Sequence, residues 1–351
     1  MNTATNNKKN ILDFDLADLR EVVSDFEEKP FRANQLFEWV SKGAADYSEM
    51  HNLPKSLIDK LIESDYYLGL PEIVKSQESK DGTVKCLFRF RDGAEVESVF
   101  MKYDYGNSIC ISSQVGCRMG CSFCASTMDG LERNLTGGEM LGEVLAMRNH
   151  TGEDIGHVVV MGMGEPLDNY DELARFIRLI HDPKGYNLGL RNITVSTCGI
   201  IPGMQMFAED FPQVNLAVSL HAPNQELREK TMPVAKKYTY KDLMQACREY
   251  TDKTSRRITF EYALIEGVND SKSCAEELAS NMKGMLAHVN LIPLNEVEGR
   301  SYRQASGDTV KRFKDILENK GVAVTIRRTL GSDIDAACGQ LKRKRSHESK
   351  L

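Results

Sequence analysis

Apolar residues recur at three-and-four spacing through ILDFDLADLREVVSDF (11–26), FRANQLFEWV (31–40) and LPKSLIDKLIE (53–63). Lys29-Pro30 and the polar stretch SKGAADYSEMHN interrupt them, so the period predicts a small N-terminal helical domain over residues 1–70, anchored by the single tryptophan, Trp39. From about residue 72 the period shortens to two. TVKCLFRF and AEVESVFMKY predict two strands joined across Arg91-Asp92-Gly93, a hairpin signal, which makes residues 71–107 a β-hairpin linker. Glu97 falls among the valines of the second strand, and alternation leaves open whether it faces water or a cleft.

Beyond Ser108 strands and helices alternate. The strand candidates are SICISSQ, HVVVMGM, NITVSTCG, VNLAVSLHA, ITFEYALI, HVNLIPL and VAVTIRR; helices are expected over GEMLGEVLAMRNH, YDELARFIRLIH, KDLMQACREYT, CAEELASNM and DTVKRFKDILENK. Such alternation means parallel strands covered by helices, and six or seven units predict an α/β fold, a partial, open β/α barrel spanning residues 108–341 before a basic tail at 342–351. Chemistry in barrels gathers at the C-terminal strand ends. Those ends carry a cysteine loop, then Gly162-Met163-Gly164-Glu165-Pro166, Ser196-Thr197, Ser219-Leu220-His221 and Asn295. As a series on one rim they predict a binding site, although singly each is more often a turn or cap residue.

The cysteine loop is SICISSQVGCRMGCSFCAS, with Cys117, Cys121 and Cys124 in C-x3-C-x2-C spacing and Cys110 in the preceding strand. Three thiolates on one loop can hold three corners of a [4Fe-4S] cluster and leave the fourth iron open, the arrangement a reactive site needs. Iron–sulfur chemistry with S-adenosylmethionine (SAM) is one route to radicals. A zinc knuckle with Cys110 or a distant residue as fourth ligand is the alternative, but a compact zinc site usually shows a second ligand pair nearby. Gly164 allows close backbone approach, and Glu165 can accept a hydrogen bond from the α-ammonium group of SAM.

Composition narrows the class. The chain has 351 residues, enough for a large domain and a small one, and its 41% hydrophobic content is ordinary for a globular protein. No apolar run approaches the roughly 20 residues of a membrane span, and MNTATNNKKN is no signal peptide, so a cytoplasmic protein is expected. Nine cysteines without an export signal point to thiols used as ligands or reagents. A net charge of −6 carries no nucleic-acid signature; Lys236-Lys237, Arg256-Arg257, Arg327-Arg328 and Lys342 to Arg345 are basic patches, each by itself read as solvated surface. Cys338, flanked by Ala336, Ala337 and Gly339, sits in small, permissive chain and alone reads as a small buried apolar residue.

The cysteine trio, Met161-Gly162-Met163-Gly164-Glu165-Pro166, Ser219-Leu220-His221 and Asp333-Ile334-Asp335-Ala336-Ala337-Cys338-Gly339-Gln340-Leu341, in that order, resemble the radical-SAM adenine methyltransferases of the RlmN/Cfr family over about residues 85–341. The resemblance removes the zinc reading and implies one [4Fe-4S] cluster and two SAM molecules per turnover. It implies that Cys338 is methylated by one SAM, and that a radical from the second takes hydrogen from that methyl group, whose carbon then adds to adenine of 23S rRNA or tRNA. It further implies that Cys110 resolves the adduct through a transient disulfide with Cys338 and that Glu97 accepts the ring proton. Gly164, Glu165, Ser196, Ser219, Leu220, His221 and Asn295 match positions that hold SAM. Pro166 leans toward carbon 2 of adenine over carbon 8. A flavodoxin or ferredoxin as electron donor and a monomeric enzyme complete the expectation.

Overall fold

The computed structural model describes residues 8–297, 299–328, 330–334 and 336. Cys338 and the basic tail lie outside them. The N-terminal segment forms α1 (Leu16–Asp25), α2 (Phe31–Ser41) and α3 (Lys55–Glu63). The first apolar run is not one helix: Ile11–Asp13 is a single 3₁₀ turn, and α1 starts afresh because the Asp15 carboxylate accepts from the Ala17 and Asp18 amides. Trp39 is only half-buried, its indole N–H donating to Asn52 Oδ1 at 2.7 Å; Leu36 and Phe37 fill the core instead.

Ten strands then lie side by side in chain order. They are β1 (Glu72–Glu78), β2 (Val84–Arg89), β3 (Glu95–Tyr103), β4 (Gly106–Ile111), β5 (His157–Val160), β6 (Ile193–Thr197), β7 (Asn215–Ser219), β8 (Ile258–Leu264), β9 (Ala287–Pro293) and β10 (Ala323–Ile326). From β4 to β10 all neighbours are parallel, whereas β1 to β4 are antiparallel. All seven strands expected after Ser108 therefore form, and the sheet is a partial, open β/α barrel. The expected hairpin is β2–β3, closed by Gly93 at φ +87°. It gains β1 as a third strand and is continuous with the barrel sheet.

The covering helices include α4 (Gly137–Thr151), α5 (Tyr170–His181), α6 (Ile201–Asp210), α7 (Gln225–Thr231), α8 (Tyr240–Thr254), α9 (Lys272–Asn281) and α10 (Gly307–Asn319). Both α6 and α7 escape the periodicity, α6 because it opens with Pro202-Gly203 and α7 because its seven residues are almost all polar. A capping box between Thr136 and Glu139 starts α4. Along α4 the N-terminal domain docks directly: Asp13 accepts from the Gly138 amide at 2.7 Å, and Asn149 donates to the Gly43 carbonyl at 2.7 Å. A side chain on Gly138 would come within 2.5 Å of the backbone at Asp13, which explains a glycine there.

Candidate active site

Register decides which side chains share the concave face. Cys110 on β4 stands opposite Val99 on β3 and Val159 on β5, and Lys85 on β2 stands opposite Val99 as well. Alternation then puts Glu97, two residues from Val99, on that same face, diagonal to Cys110. Carried across the parallel strands, the register places Met161, Ser196, Ser219 and Glu261 there too. The opposite face is packed by helices: Ser98, one residue out of phase with Glu97 and Val99, donates its hydroxyl to the buried carboxyl of Glu143 on α4, which also accepts from the Ser112 amide just beyond β4.

At the C-terminal ends of these strands lies one cavity of about 1000 Å³, counting its open mouth. Cys117, Cys121 and Cys124 line it, with Gly164, Glu165, Ser196, Ser219, His221 and Asn295. Most of the rim expected from sequence thus converges. Leu220 does not, since its side chain is sealed in the hydrophobic core and its amide donates to the Glu261 carbonyl at 3.0 Å. Cys110 and Glu97 are buried and are not among its lining residues.

The cysteine loop is held by turns that only glycine allows. Gly116 has φ +78°, and a Cβ there would lie 2.0 Å from the Gly130 carbonyl, whose oxygen accepts from the Cys117 amide at 3.0 Å. Gly164 has φ +104° and a Cβ on it would fall 2.8 Å from the Gln114 amide. The close approach required of Gly164 is thus to the cysteine loop's own backbone. Ser122 donates its amide to the Thr231 carbonyl of α7 at 2.9 Å, so the loop also rests on that helix.

Electrostatics follows from burial. Desolvation pushes the Cys117 thiol up to about 12, with neighbouring Cys124 adding to it, and Cys121 is raised further by the same causes. Free thiolates are disfavoured here, so ligation by cations is what would ionise them. Among the described residues no three His, Cys, Asp or Glu side chains are grouped for a single metal ion. Three cysteines lining one cavity from a single loop fit a cluster better than a single-ion knuckle, which would need a fourth ligand beside them.

Glu165 is buried, its carboxyl raised by desolvation, and accepts from the Cys198 amide at 2.6 Å and the Leu167 amide at 3.0 Å. A carboxylate has about four acceptor sites, so capacity remains for a ligand donor. His221 has φ +53° and its Nδ1 accepts from the Ala263 amide at 2.9 Å, which places the ring proton on Nε2. Burial, assisted by the Arg228 charge, lowers its pKa to about 3, so it is a neutral donor. The Ser196 and Ser219 hydroxyls are 3.4 Å apart.

Several lining residues have no local signal in sequence: Cys198, Glu261 and Arg327. Arg327 corrects the expectation of a solvated patch, because it borders the cavity. Glu261 is raised by burial and accepts from Asn290 Nδ2 at 2.9 Å. Period-two alternation within ITFEYALI would have found Glu261 only if the buried face of that strand had been known.

Residues 111–276 match the Radical SAM superfamily, and residues 9–66 match the ribosomal RNA large subunit methyltransferase N-terminal domain. A probable dual-specificity RNA methyltransferase RlmN of Clostridium tetani is 51% identical over 339 residues, covering 96% of this chain and 97% of its own. The chain belongs to the RlmN family of radical SAM RNA methyltransferases. The RlmN relative of Clostridium acetobutylicum is 49% identical over 97% of this chain and 99% of its own. A crystal structure of a radical SAM methyltransferase from Sphaerobacter thermophilus superposes with a TM-score of 0.91 at 45% identity, covering 95% of this chain and 98% of that one. RlmN membership implies a 4Fe-4S cluster and SAM, and RNA as substrate. Among the described residues no helix is long and apolar enough to cross a membrane.

Proposed function

We propose that this RNA methyltransferase places a methyl group on carbon 2 of adenosine in 23S rRNA and in some tRNAs. What carries the reading is the convergence of Cys117, Cys121 and Cys124 with Glu165, Ser196, Ser219, His221 and Asn295 on one cavity in a chain of this family. Carbon 2 of adenine is electron-poor and does not attack a methyl sulfonium, so the reaction needs a radical route. The cluster, when bound, supplies the electron that cleaves SAM. Cys117, Cys121 and Cys124 would hold it, and Glu165, Gly164, the two serines, His221 and Asn295 would hold SAM.

Cys338 carries the methyl group on sulfur, and two SAM molecules are used in each turnover. Cys110 is the thiol that closes a transient disulfide with Cys338 as the methylated base departs, and Glu97 takes the ring proton. Their shared face on β3 and β4 supports that pairing of roles. The target adenosine leaves its stack to reach the barrel mouth. The enzyme works as a cytoplasmic monomer, with a flavodoxin or ferredoxin as electron donor.

Mass spectrometry of digested RNA from cells with and without the gene tests the position. Loss of 2-methyladenosine on deletion is expected; loss of 8-methyladenosine instead would assign the carbon-8 branch. Anaerobic purification tests the centre: a brown protein with iron and sulfide is expected, and a colourless one holding stoichiometric zinc would overturn it.

A further inference from the structure

Arg228, in the middle of α7, has no exposed surface at all. Its Nη2 donates to the Cys198 carbonyl at 2.6 Å and lies 3.3 Å from the Ser219 carbonyl. Nε and Nη1 are buried with no hydrogen-bond partner, and no carboxylate forms an ion pair with the guanidinium among the described residues. A fully buried cation satisfied only by carbonyls is costly unless an anion lies close by.

The surroundings identify where that anion belongs. Cys198, whose carbonyl Arg228 holds, packs with Cys121 and Met232 in one apolar cluster that also touches Cys124. Three residues beyond Arg228, Thr231 anchors the cysteine loop through Ser122. His221 offers no negative charge, being neutral, and its ring is itself disfavoured from protonating by Arg228. The anionic group that the cysteine loop is built to hold is thus the one that completes this environment.

We propose that Arg228 is the buried counter-cation of the iron–sulfur centre and holds its reduction potential up. The inference rests on the cluster reading above. Reduction adds one electron to an already anionic thiolate-bound centre, and a fixed positive charge in a medium of low dielectric stabilises the reduced form more than the oxidised one. Arg228 touches neither SAM nor RNA in this role. It acts through the potential at which the electron is accepted.

The test uses the full-length chain, reconstituted anaerobically, as wild type and as Arg228→Met, Arg228→Gln and Arg228→Lys. Iron and sulfide are measured first; a wild type without them overturns the cluster reading itself. The reduced fraction is then followed by electron paramagnetic resonance in a mediated redox titration. At the wild-type midpoint the ratio of reduced to oxidised cluster is expected to fall at least tenfold in Arg228→Met and Arg228→Gln, about 59 mV for a one-electron couple. Arg228→Lys, which keeps the charge, should stay within threefold.

A purely structural arginine predicts otherwise, since glutamine can still donate to the Cys198 carbonyl. Loaded Met and Gln variants within threefold of wild type would overturn the proposal, as would an Arg228→Lys shift as large as that of Arg228→Met. So would loss of fold by both neutral variants in the metal-free state, judged by circular dichroism against a folded metal-free wild type.

Discussion

Lys85 Nζ stands 3.5 Å from Glu97 Oε1, with the two side chains 3% and 8% exposed. The pair lies on the concave face, one strand pair away from Cys110. Burying two charges together is tolerable, whereas deleting one leaves the other without its counter-charge. Lys85→Ala is therefore expected to cost about 3–5 kcal/mol in urea unfolding, and Lys85→Met combined with Glu97→Gln to recover a large part of it. Equal losses in the single and double variants would show that the pair is not coupled.

Glu143 carries a second, different buried carboxyl. Burial raises its pKa to about 8 while Ser98 and the Ser112 amide, at 3.0 Å, hydrogen-bond to it. Because the folded value lies above the unfolded one, the native state binds the extra proton, and stability is highest at low pH and falls as pH rises from about 4.5 through about 8. The slope from this one group reaches at most ~1.4 kcal/mol per pH unit. Unfolding of Glu143→Gln measured across that range should lack this component; an unchanged slope would remove Glu143 as its source.

The turn at Gly116 admits no side chain. With φ +78° and a Cβ that would meet the Gly130 carbonyl at 2.0 Å, Gly116→Ala must displace either Cys117 or the 130–131 backbone. Iron and sulfide content after anaerobic reconstitution is expected to drop several-fold while the far-ultraviolet circular dichroism stays close to wild type. Gly93→Ala, whose Cβ meets nothing within 4 Å, is the control and should load normally.

The chain leading to Cys338 is tied to the β1–β2 turn. Asp333 accepts from the Ser79 hydroxyl at 2.5 Å, and Asp81 accepts from the Gly331 amide at 2.9 Å. Removing these two contacts, by Ser79→Ala with Asp81→Ala, should open residues 331–334 to limited proteolysis at least tenfold faster. Resistance equal to wild type would mean that other contacts hold them.

The separate roles proposed for Cys338 and Cys110 predict separate failures. Cys338→Ala should abolish methyl transfer with iron content intact, while Cys110→Ala should accumulate a protein–RNA crosslink visible on denaturing gels. Free release of methylated RNA by Cys110→Ala would contradict its resolving role.

Local sequence was enough for the cysteine loop at the cavity, the seven parallel strands and most of the rim, because cysteine spacing, period and strand-end polarity are properties of short segments. It was not enough to orient strands whose two faces are both buried. Where both sides of a sheet are covered, apolar residues occupy both faces, so alternation does not say which side is concave. Glu97, Cys110 and Glu261 acquired a face only when the ladder register tied them to Val99, Val159 and Ser219.

Charged residues divided the same way. Nothing in the polar run QELREKT marks a buried residue, yet Arg228 within it is fully buried against the Cys198 carbonyl, thirty residues earlier in the chain. Arg327 likewise reads as part of a surface pair and borders the cavity. By itself the sequence determined which chemistry the chain can perform, since that depends on residue types at fixed spacing. Tertiary structure alone decided which charges stand next to that chemistry without solvent, because burial is a property of the segments that pack over a residue and not of the residues beside it.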